Sequence, residues 1–182
     1  LEQDIENLKL VTCHLGNGCS MAAIDGGNSV DTTMGFTPLE GLVMGTRSGD
    51  IDPAIILHVI GKEELSLHEA NALLNKHSGL LGVSGVSGDM REVIEESESG
   101  NERAALAIEI YGYRIRKYIT AYAGAMGGLD AVIFTAGVGE HSPQVREIAC
   151  RGLGFMGLSL DEEKNLSANS GAATISTDDS RA

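Results

Sequence analysis

The strongest constraint on the fold is a run of alternating β-forming residues between positions 9 and 33, interrupted twice by glycine. The segments KLVTCHL, CSMAAI and SVDTT each have the pattern of a strand in a half-buried sheet. Asn17-Gly18 is a favoured two-residue hairpin turn, and Gly26-Gly27-Asn28 supplies a second turn. The chain is therefore predicted to open with a meander of three antiparallel strands.

The next part of the chain combines an irregular segment with helical patterns. Residues 34–51 have no period and contain four glycines, which predicts a long irregular loop of the kind that is usually functional or disordered. Helix starts are predicted at Asp52-Pro53, Ser66, Asp89 and Ser99. The helix that begins near Ser66 is predicted to end at Gly79, and Gly127-Gly128 is predicted to end the longest helix. That longest helix carries an apolar stripe formed by Ala104, Ile108, Tyr111, Ile115, Tyr118 and Tyr122.

A nearly continuous apolar segment, LDAVIFTA at residues 129–136, has the pattern of a central strand buried on both faces. It is followed by Gly137, Gly139 and a helix start at Ser142-Pro143, and a last strand is predicted near AATIST. The order of these elements predicts an α/β fold: a mixed five-stranded sheet flanked by helices.

Charge and composition exclude several classes of partner. The 13 Lys and Arg residues face 26 Asp and Glu, and the resulting net charge of −13 opposes binding to nucleic acid or to an anionic membrane. No apolar run is long enough for a membrane span, and the first residues are acidic, unlike a signal peptide. Cys13, Cys19 and Cys150 form no C-x-x-C pair and are interpreted as reduced thiols of a cytoplasmic protein. The histidines at 58, 68, 77 and 141 lack any metal-ligand spacing, so no metal site is predicted.

The glycines around Asn17 allow two interpretations. Gly16-Asn17-Gly18 is a hairpin turn on the simpler view. Gly16 is not needed for such a turn, however, and a backbone free of side chains next to His14 lets amide groups approach an oxygen anion. His14 is either a hydrogen-bonded structural residue or a phosphate ligand. The segment is not a dinucleotide fingerprint, because a strand follows where that motif requires a helix.

Each of three other positions allows both a functional and a purely structural interpretation. Arg47 is either half of a surface ion pair or a planar cation suited to a phosphoryl group in transfer. Asp89 is a helix cap, a site residue or both. Gly137-Val138-Gly139 is either a tight connection or a surface on which adenine or ribose lies flat. The strand, glycine loop and helix near Gly137 also leave a dinucleotide-dependent oxidoreductase open as an alternative.

Four motifs in order, CHLGNGCS, DTTMGFTPLEGLVMGTRSGDIDP, GVSGDMRE and FTAGVGEHSP, closely resemble those of the acetate kinases, with propionate and butyrate kinases as near relatives. The resemblance covers residues 8–181. It implies an RNase H-like (actin-like ATPase) domain and transfer of the ATP γ-phosphoryl group to acetate, a reversible reaction that gives acetyl phosphate and ADP with Mg²⁺. It implies Arg47 as the catalytic residue that stabilises the transferring phosphoryl group. The implied nucleotide-binding residues are His14, Leu15, Gly16, Asn17, Gly18, Asp89, Met90, Arg91, Gly137, Val138, Gly139, Glu140 and His141.

The same resemblance implies how the chain is organised. Residues 1–182 are expected to be the C-terminal nucleotide-binding domain of a two-domain kinase, with a helical insertion at about 52–100. The N-terminal domain and the extreme C-terminal tail are expected to lie outside the sequence, so the chain alone is expected to bind nucleotide without catalysis. A homodimer is implied. Propionate kinase, butyrate kinase and a nucleotide-binding module without catalysis remain the alternatives.

Overall fold

The three strands predicted at the start of the chain are present in the computed structural model, which describes residues 3–169 and 171–182. The strands β1 (Lys9–Leu15), β2 (Cys19–Asp25) and β3 (Asn28–Thr32) pair antiparallel in that order. Alternate residues of β1 and β2 are buried, among them Val11, Cys13 and Met21. The period of two in the sequence therefore becomes one buried face of β1 and β2, whereas β3, predicted to be half-buried, is exposed throughout.

The two-residue turn that the sequence predicts at the first hairpin is found at the second hairpin instead. Leu15 pairs with Cys19, so the first connection is a three-residue loop and not the predicted two-residue Asn17-Gly18 turn. Neither Asn17 nor the glycines beside it have positive φ, which a type I′ turn requires. The second connection has that geometry, because Asp25 pairs with Asn28 across Gly26 and Gly27, whose φ values are +58° and +79°.

The sheet has four strands in the described residues, and the predicted fifth strand is wrong. The fourth strand, β4 (Ala131–Thr135), runs parallel to β1 and gives the order β3-β2-β1-β4. The segment predicted as the last strand forms only one bridge, between Leu160 and Ser176. Because its hydrogen bonds go to residues 159–161, it does not join the sheet. β4 is consequently an edge strand, half-buried where the sequence predicted burial on both faces.

Four helices follow the irregular segment: α1 (Pro53–Lys62), α2 (Leu67–Lys76), α3 (Gly79–Ser84) and α4 (Met90–Glu98). Ser66 and Glu69 cap α2 reciprocally, as a capping box does. Gly79, predicted to end α2, instead begins α3 with a φ of +65°. A side chain there would collide with the Met44 carbonyl oxygen, so glycine is required by both conformation and space.

The longest helix, α5 (Glu102–Met126), has the predicted length and stripe, with one changed cap. Asn101, and not Ser99, caps it, since the Asn101 side-chain oxygen accepts from the Arg103 and Ala104 amides. Ile108, Ile115 and Ile119 are buried. Gly127, at φ +69°, ends the helix as predicted.

Three short helices complete the chain: α6 (Ala136–His141), α7 (Pro143–Cys150) and α8 (Glu162–Ser167). The chain divides into two compact units. Unit 1 comprises Leu1–Thr33 and Gly112–Ala182, and unit 2 comprises Met34–Tyr111, so that unit 1 contains the whole sheet. No helix among the described residues is long and apolar enough to cross a membrane.

Candidate functional site

The first predicted phosphate segment forms the tip of the β1–β2 hairpin in unit 1. His14 and Asn17 are exposed, and Gly16 and Gly18 are half-exposed. Leu15 is fully buried, so only its backbone is available to a ligand. The Gly16 amide donates to the Gly18 carbonyl oxygen at 3.1 Å, which closes the loop on itself.

The sheet brings this hairpin tip next to the second predicted nucleotide segment. β1 and β4 are parallel and end side by side at His14 and Thr135, whose Nδ1 and Oγ1 atoms are 3.0 Å apart. A methyl group on Gly16 would lie 4.0 Å from the Ala136 Cβ atom. Both segments therefore meet at the carboxyl ends of two parallel strands, which is where open α/β sheets bind their ligands.

The glycines at this edge are not required by the fold. Gly16, Gly137 and Gly139 all lack the positive φ that favours glycine. A Cβ atom on Gly137 would meet nothing within 4 Å, and on Gly16 or Gly139 it would make contacts of 3.4 Å or longer. At Gly16 and Gly137, a bound group is a better reason for the small size than packing is, whereas Gly139 is buried against the backbone of Phe134 and Cys13.

The predicted glycine loop at 137–141 is a short helix, α6, and not an irregular connection. The carboxylate of Glu140 accepts from the Ala136 amide at 3.1 Å and so holds the first turn. Ala136 has a φ of +64°, a conformation that costs an L-residue about 1–2 kcal/mol. Strain of this kind is typical of functional sites, and here it lies at the junction of β4 and α6.

Arg47 lies in unit 2, in a loop that is irregular but firmly anchored. The Ser48 amide donates to the Leu74 carbonyl, and the Thr46 carbonyl accepts from the Ser78 amide, each at 3.0 Å. Gly49, at φ +66°, is packed against Leu42 so closely that no side chain fits. These contacts give the backbone around Arg47 a fixed conformation without regular secondary structure.

The Arg47 side chain does not form a surface ion pair, which was one of the two interpretations that the sequence left open. It is half-buried, and its Nη1 atom lies 3.4 Å from both the Pro38 carbonyl oxygen and the Met44 sulfur. Within residues 3–169 and 171–182, no carboxylate forms an ion pair with it. A guanidinium whose charge is not neutralised by the protein is suited to an anionic ligand.

Asp89, Met90 and Arg91 begin helix α4 near the Arg47 loop within unit 2. A side chain on Gly88 would lie 3.0 Å from the Gly45 carbonyl oxygen, so the two loops are in contact. Asp89 caps α4 through the Arg91 amide and also accepts from the Arg91 guanidinium at 2.6 Å. These hydrogen bonds, with the charge of Arg91, lower the pKa of Asp89 to about 2. Met90 is buried, so its side chain is part of the core.

Sequence reasoning missed the polar residues that hold this region in place. Arg146 and Asn165 are buried, and the Arg146 guanidinium reaches the carbonyl oxygens of Gly139 and Glu140. Arg146 lies shortly after a predicted helix start, where the sequence pattern is typical of the exposed polar face of a helix. No spacing rule pairs it with Asn165, so the sequence offered no signal for either residue.

The cysteines and the acidic residues do not add a chemical centre among the described residues. Cys13, Cys19 and Cys150 form no disulfide in the described chain, and all three are buried. Burial raises the pKa of Cys13 and raises that of Cys150 to about 12, so both remain protonated and poorly nucleophilic. Across the described part of the chain, no three His, Cys, Asp or Glu side chains are grouped to hold a metal ion.

Comparisons with known proteins agree on one family. The family model described as "Acetokinase family" matches residues 1–182. The chain is 57% identical over 181 residues to an acetate kinase of Halothermothrix orenii, covering 100% of this chain and 45% of the relative. The crystal structure of Porphyromonas gingivalis acetate kinase matches 97% of this chain and 44% of its own, with a TM-score of 0.95 and 46% identity. A propionate kinase structure from Francisella tularensis matches 96% and 44%, with a TM-score of 0.88 and 42% identity. The chain thus spans less than half the length of these relatives.

Proposed function

Because the chain belongs to the acetokinase family, we propose that it is the nucleotide-binding half of an acetate kinase. The complete protein would transfer the γ-phosphoryl group of ATP to acetate and produce acetyl phosphate and ADP, reversibly. The observation that carries the proposal is the meeting of the hairpin tip with α6 at the carboxyl ends of β1 and β4. That edge combines exposed backbone with glycines that the fold does not require.

Most of the proposed site residues would contact the nucleotide, and one would contact the phosphoryl group in transfer. The backbone of residues 14–18 would hold phosphate oxygens, and residues 137–141 would lie against the adenosine. Asp89, Met90 and Arg91 would line the nucleotide, Met90 through its backbone because its side chain is buried. Arg47 would neutralise charge on the phosphoryl group in transfer. Catalysis of this kind depends on positioning and charge neutralisation, so no covalent nucleophile is needed.

We propose that magnesium enters the site bound to the nucleotide and is not held by a set of protein ligands. The described residues offer no grouped ligands for a metal ion. Mg²⁺ keeps several water ligands and usually binds with substrate phosphates and one or two carboxylates. MgATP and MgADP are therefore the proposed forms of the nucleotide, and no role in holding the metal is assigned to residues of this chain.

The proposal extends to domain organisation and assembly. The chain would be an RNase H-like domain, supported by an antiparallel meander joined to a parallel fourth strand. It would form the C-terminal half of a two-domain enzyme, supported by the order of its motifs, and the helical segment at about 52–100 would be an insertion in it. A cytoplasmic homodimer is proposed from the family, and the three buried free thiols support the reducing location.

The direct test is an assay of the complete gene product with ATP, Mg²⁺ and hydroxylamine, which traps acetyl phosphate as the hydroxamate. We expect acetate to be the best acceptor by kcat/KM. The similarity to a propionate kinase makes propionate the second candidate, so propionate and butyrate are assayed in parallel. A preference for either would replace acetate as the substrate. Tight MgADP binding with no hydroxamate from any acceptor would instead identify a nucleotide-binding module.

A further inference from the structure

Arg146, in helix α7, is a buried cation with an unusual set of partners. It is 2% exposed, and no carboxylate in the described part of the chain forms an ion pair with it. Its acceptors are instead neutral oxygens. They are the carbonyls of Gly139 at 2.9 Å, Glu140 at 2.7 Å, Asn165 at 2.7 Å and Ala168 at 3.3 Å, with the Asn165 side chain at 2.7 Å. Burying a guanidinium is costly unless its donors are satisfied, so this arrangement demands accurate geometry from all the segments involved.

Two of these acceptors lie in the last turn of α6. A helix end leaves its final carbonyl groups without partners, and a cation there also interacts favourably with the helix dipole. α6 has only six residues, too few to be stable as an isolated helix. Its first turn is held by the Glu140 carboxylate at the Ala136 amide, and its last turn by Arg146. The conformation of α6 therefore depends on these two side chains.

Asn165 extends the arrangement to a second helix. Its side-chain oxygen accepts from Arg146 Nε, and its Nδ2 atom donates to the Pro143 carbonyl at 2.9 Å. Asn165 lies in α8, and Pro143 begins α7. The pair thus fixes the end of α6 relative to its neighbours within unit 1.

A second arginine in the chain shows that capping a short helix does not require burial. Arg103 donates to the Val83 and Gly82 carbonyls at the end of α3, at 2.9 and 3.1 Å, from an exposed position. Arg146 makes the same kind of contact from inside the protein, where each donor is held by a fixed acceptor. Arg146 therefore differs from Arg103 in being buried, and it contacts the helix that carries residues 137–141.

We propose that Arg146 is a positioning residue of the nucleotide site: it fixes the backbone of α6, and so sets nucleotide affinity, without touching the nucleotide. This inference rests on the proposed function, which assigns residues 137–141 to the adenosine. Because the adenosine is remote from the transferred phosphoryl group, loss of this positioning weakens binding in the ground state and transition state alike. It should raise KM for ATP and leave kcat nearly unchanged.

The test uses the complete gene product with Arg146→Ala, Arg146→Lys and Asn165→Ala, and Lys164→Ala as the matched control. The Lys164 Nζ atom donates to Ser176 and Asp178 at 3.1 and 2.7 Å from the same helix as Asn165, and none of its hydrogen bonds or ion pairs in the described chain goes to α6. We expect Arg146→Ala to raise both KM for ATP and the calorimetric Kd for MgADP about tenfold or more, which corresponds to a loss of about 1.4 kcal/mol of binding free energy. KM for acetate and kcat should stay within about threefold, and Lys164→Ala should leave both nucleotide constants unchanged.

The other outcomes separate this inference from the proposed function. Lower kcat with unchanged KM and Kd would mean that Arg146 only maintains folding, and would overturn the inference. If Arg146→Ala does not fold, Arg146→Lys and Asn165→Ala are expected to weaken MgADP binding by smaller factors, and unchanged Kd in both would overturn it equally. A wild-type protein without kinase activity whose MgADP binding weakens in these variants would refute the kinase and support the positioning role. Absence of MgADP binding in the wild type would refute both.

Discussion

Gly137 is a position at which a ligand-binding role of glycine can be distinguished from a structural role by substitution. It lies in helix α6, it has no positive φ, and a Cβ atom there would meet nothing within 4 Å. By the ordinary rules of helix stability, alanine is the better residue at such a position. The fold itself therefore gives no reason for glycine at this position, and the proposed contact with the nucleotide supplies one.

We predict that Gly137→Ala in the complete gene product separates stability from nucleotide affinity. The free energy of unfolding should be unchanged or higher by about 0.5–1 kcal/mol, because alanine favours the helix. KM for ATP should rise about tenfold, since the added methyl group would keep the nucleotide from lying close to the backbone. Thermal unfolding and initial-rate kinetics measure the two quantities. A more stable variant with an unchanged KM would remove this glycine from the site.

Arg47 is the residue proposed to act in the chemical step. Its half-buried guanidinium contacts a carbonyl oxygen and a sulfur but forms no ion pair in the described chain. We predict that Arg47→Ala lowers kcat roughly 100- to 1000-fold while KM for ATP changes far less, because its contact is strongest in the transition state. Steady-state kinetics decide the point. A raised KM with kcat preserved would show that Arg47 only binds substrate.

At the scale of elements, the crossing of α5 and α7 depends on one glycine. A Cβ atom on Gly112 would overlap the Ile148 side chain, whereas on Gly124, exposed in the same helix, it would meet nothing within 4 Å. Glycine normally weakens a helix interior, so the two positions should respond to alanine in opposite directions. Gly112 is therefore a packing glycine, unlike Gly137.

We predict that Gly112→Ala lowers the free energy of unfolding by about 1–3 kcal/mol through overpacking. The matched variant Gly124→Ala should raise it by about 0.5–1 kcal/mol. Urea unfolding of the chain, followed by far-ultraviolet circular dichroism, measures both. Equal effects of the two substitutions would mean that α5 and α7 do not pack as described.

Sequence patterns predicted those elements whose evidence is local. The strands of the meander, the helix start at Ser66 and the end of α5 at Gly127 all follow from residues within one or two turns of each other. The predicted fifth strand failed because β propensity near Ser176 says nothing about which partner the segment finds. The same limit applies at the site, where His14 and Thr135 are 121 residues apart. Glycine motifs indicated the segments, but only the parallel pairing of β1 with β4 shows that they meet.

For the molecule as a whole, the proposed contacts of unit 1 with the nucleotide lie at one edge of its sheet. The chain spans 45% of the acetate kinase of Halothermothrix orenii, and we propose that most of the acetate pocket is formed by the other part of the complete protein. Alignment of reacting groups contributes about 7–11 kcal/mol to such a reaction and cannot be supplied by half a cleft. The chain by itself should therefore bind MgADP weakly and produce no acetyl phosphate.

The most direct measurement is a titration of this chain with MgADP, followed residue by residue through its amide ¹H–¹⁵N correlation spectrum. We predict saturable shifts concentrated at residues 14–18 and 136–141, the two segments that meet at the ends of β1 and β4. The amides of β3 (Asn28–Thr32), at the opposite edge of the sheet, serve as the internal control and should not move. No saturable change, or changes that leave both segments unaffected, would contradict the assignment of the nucleotide site.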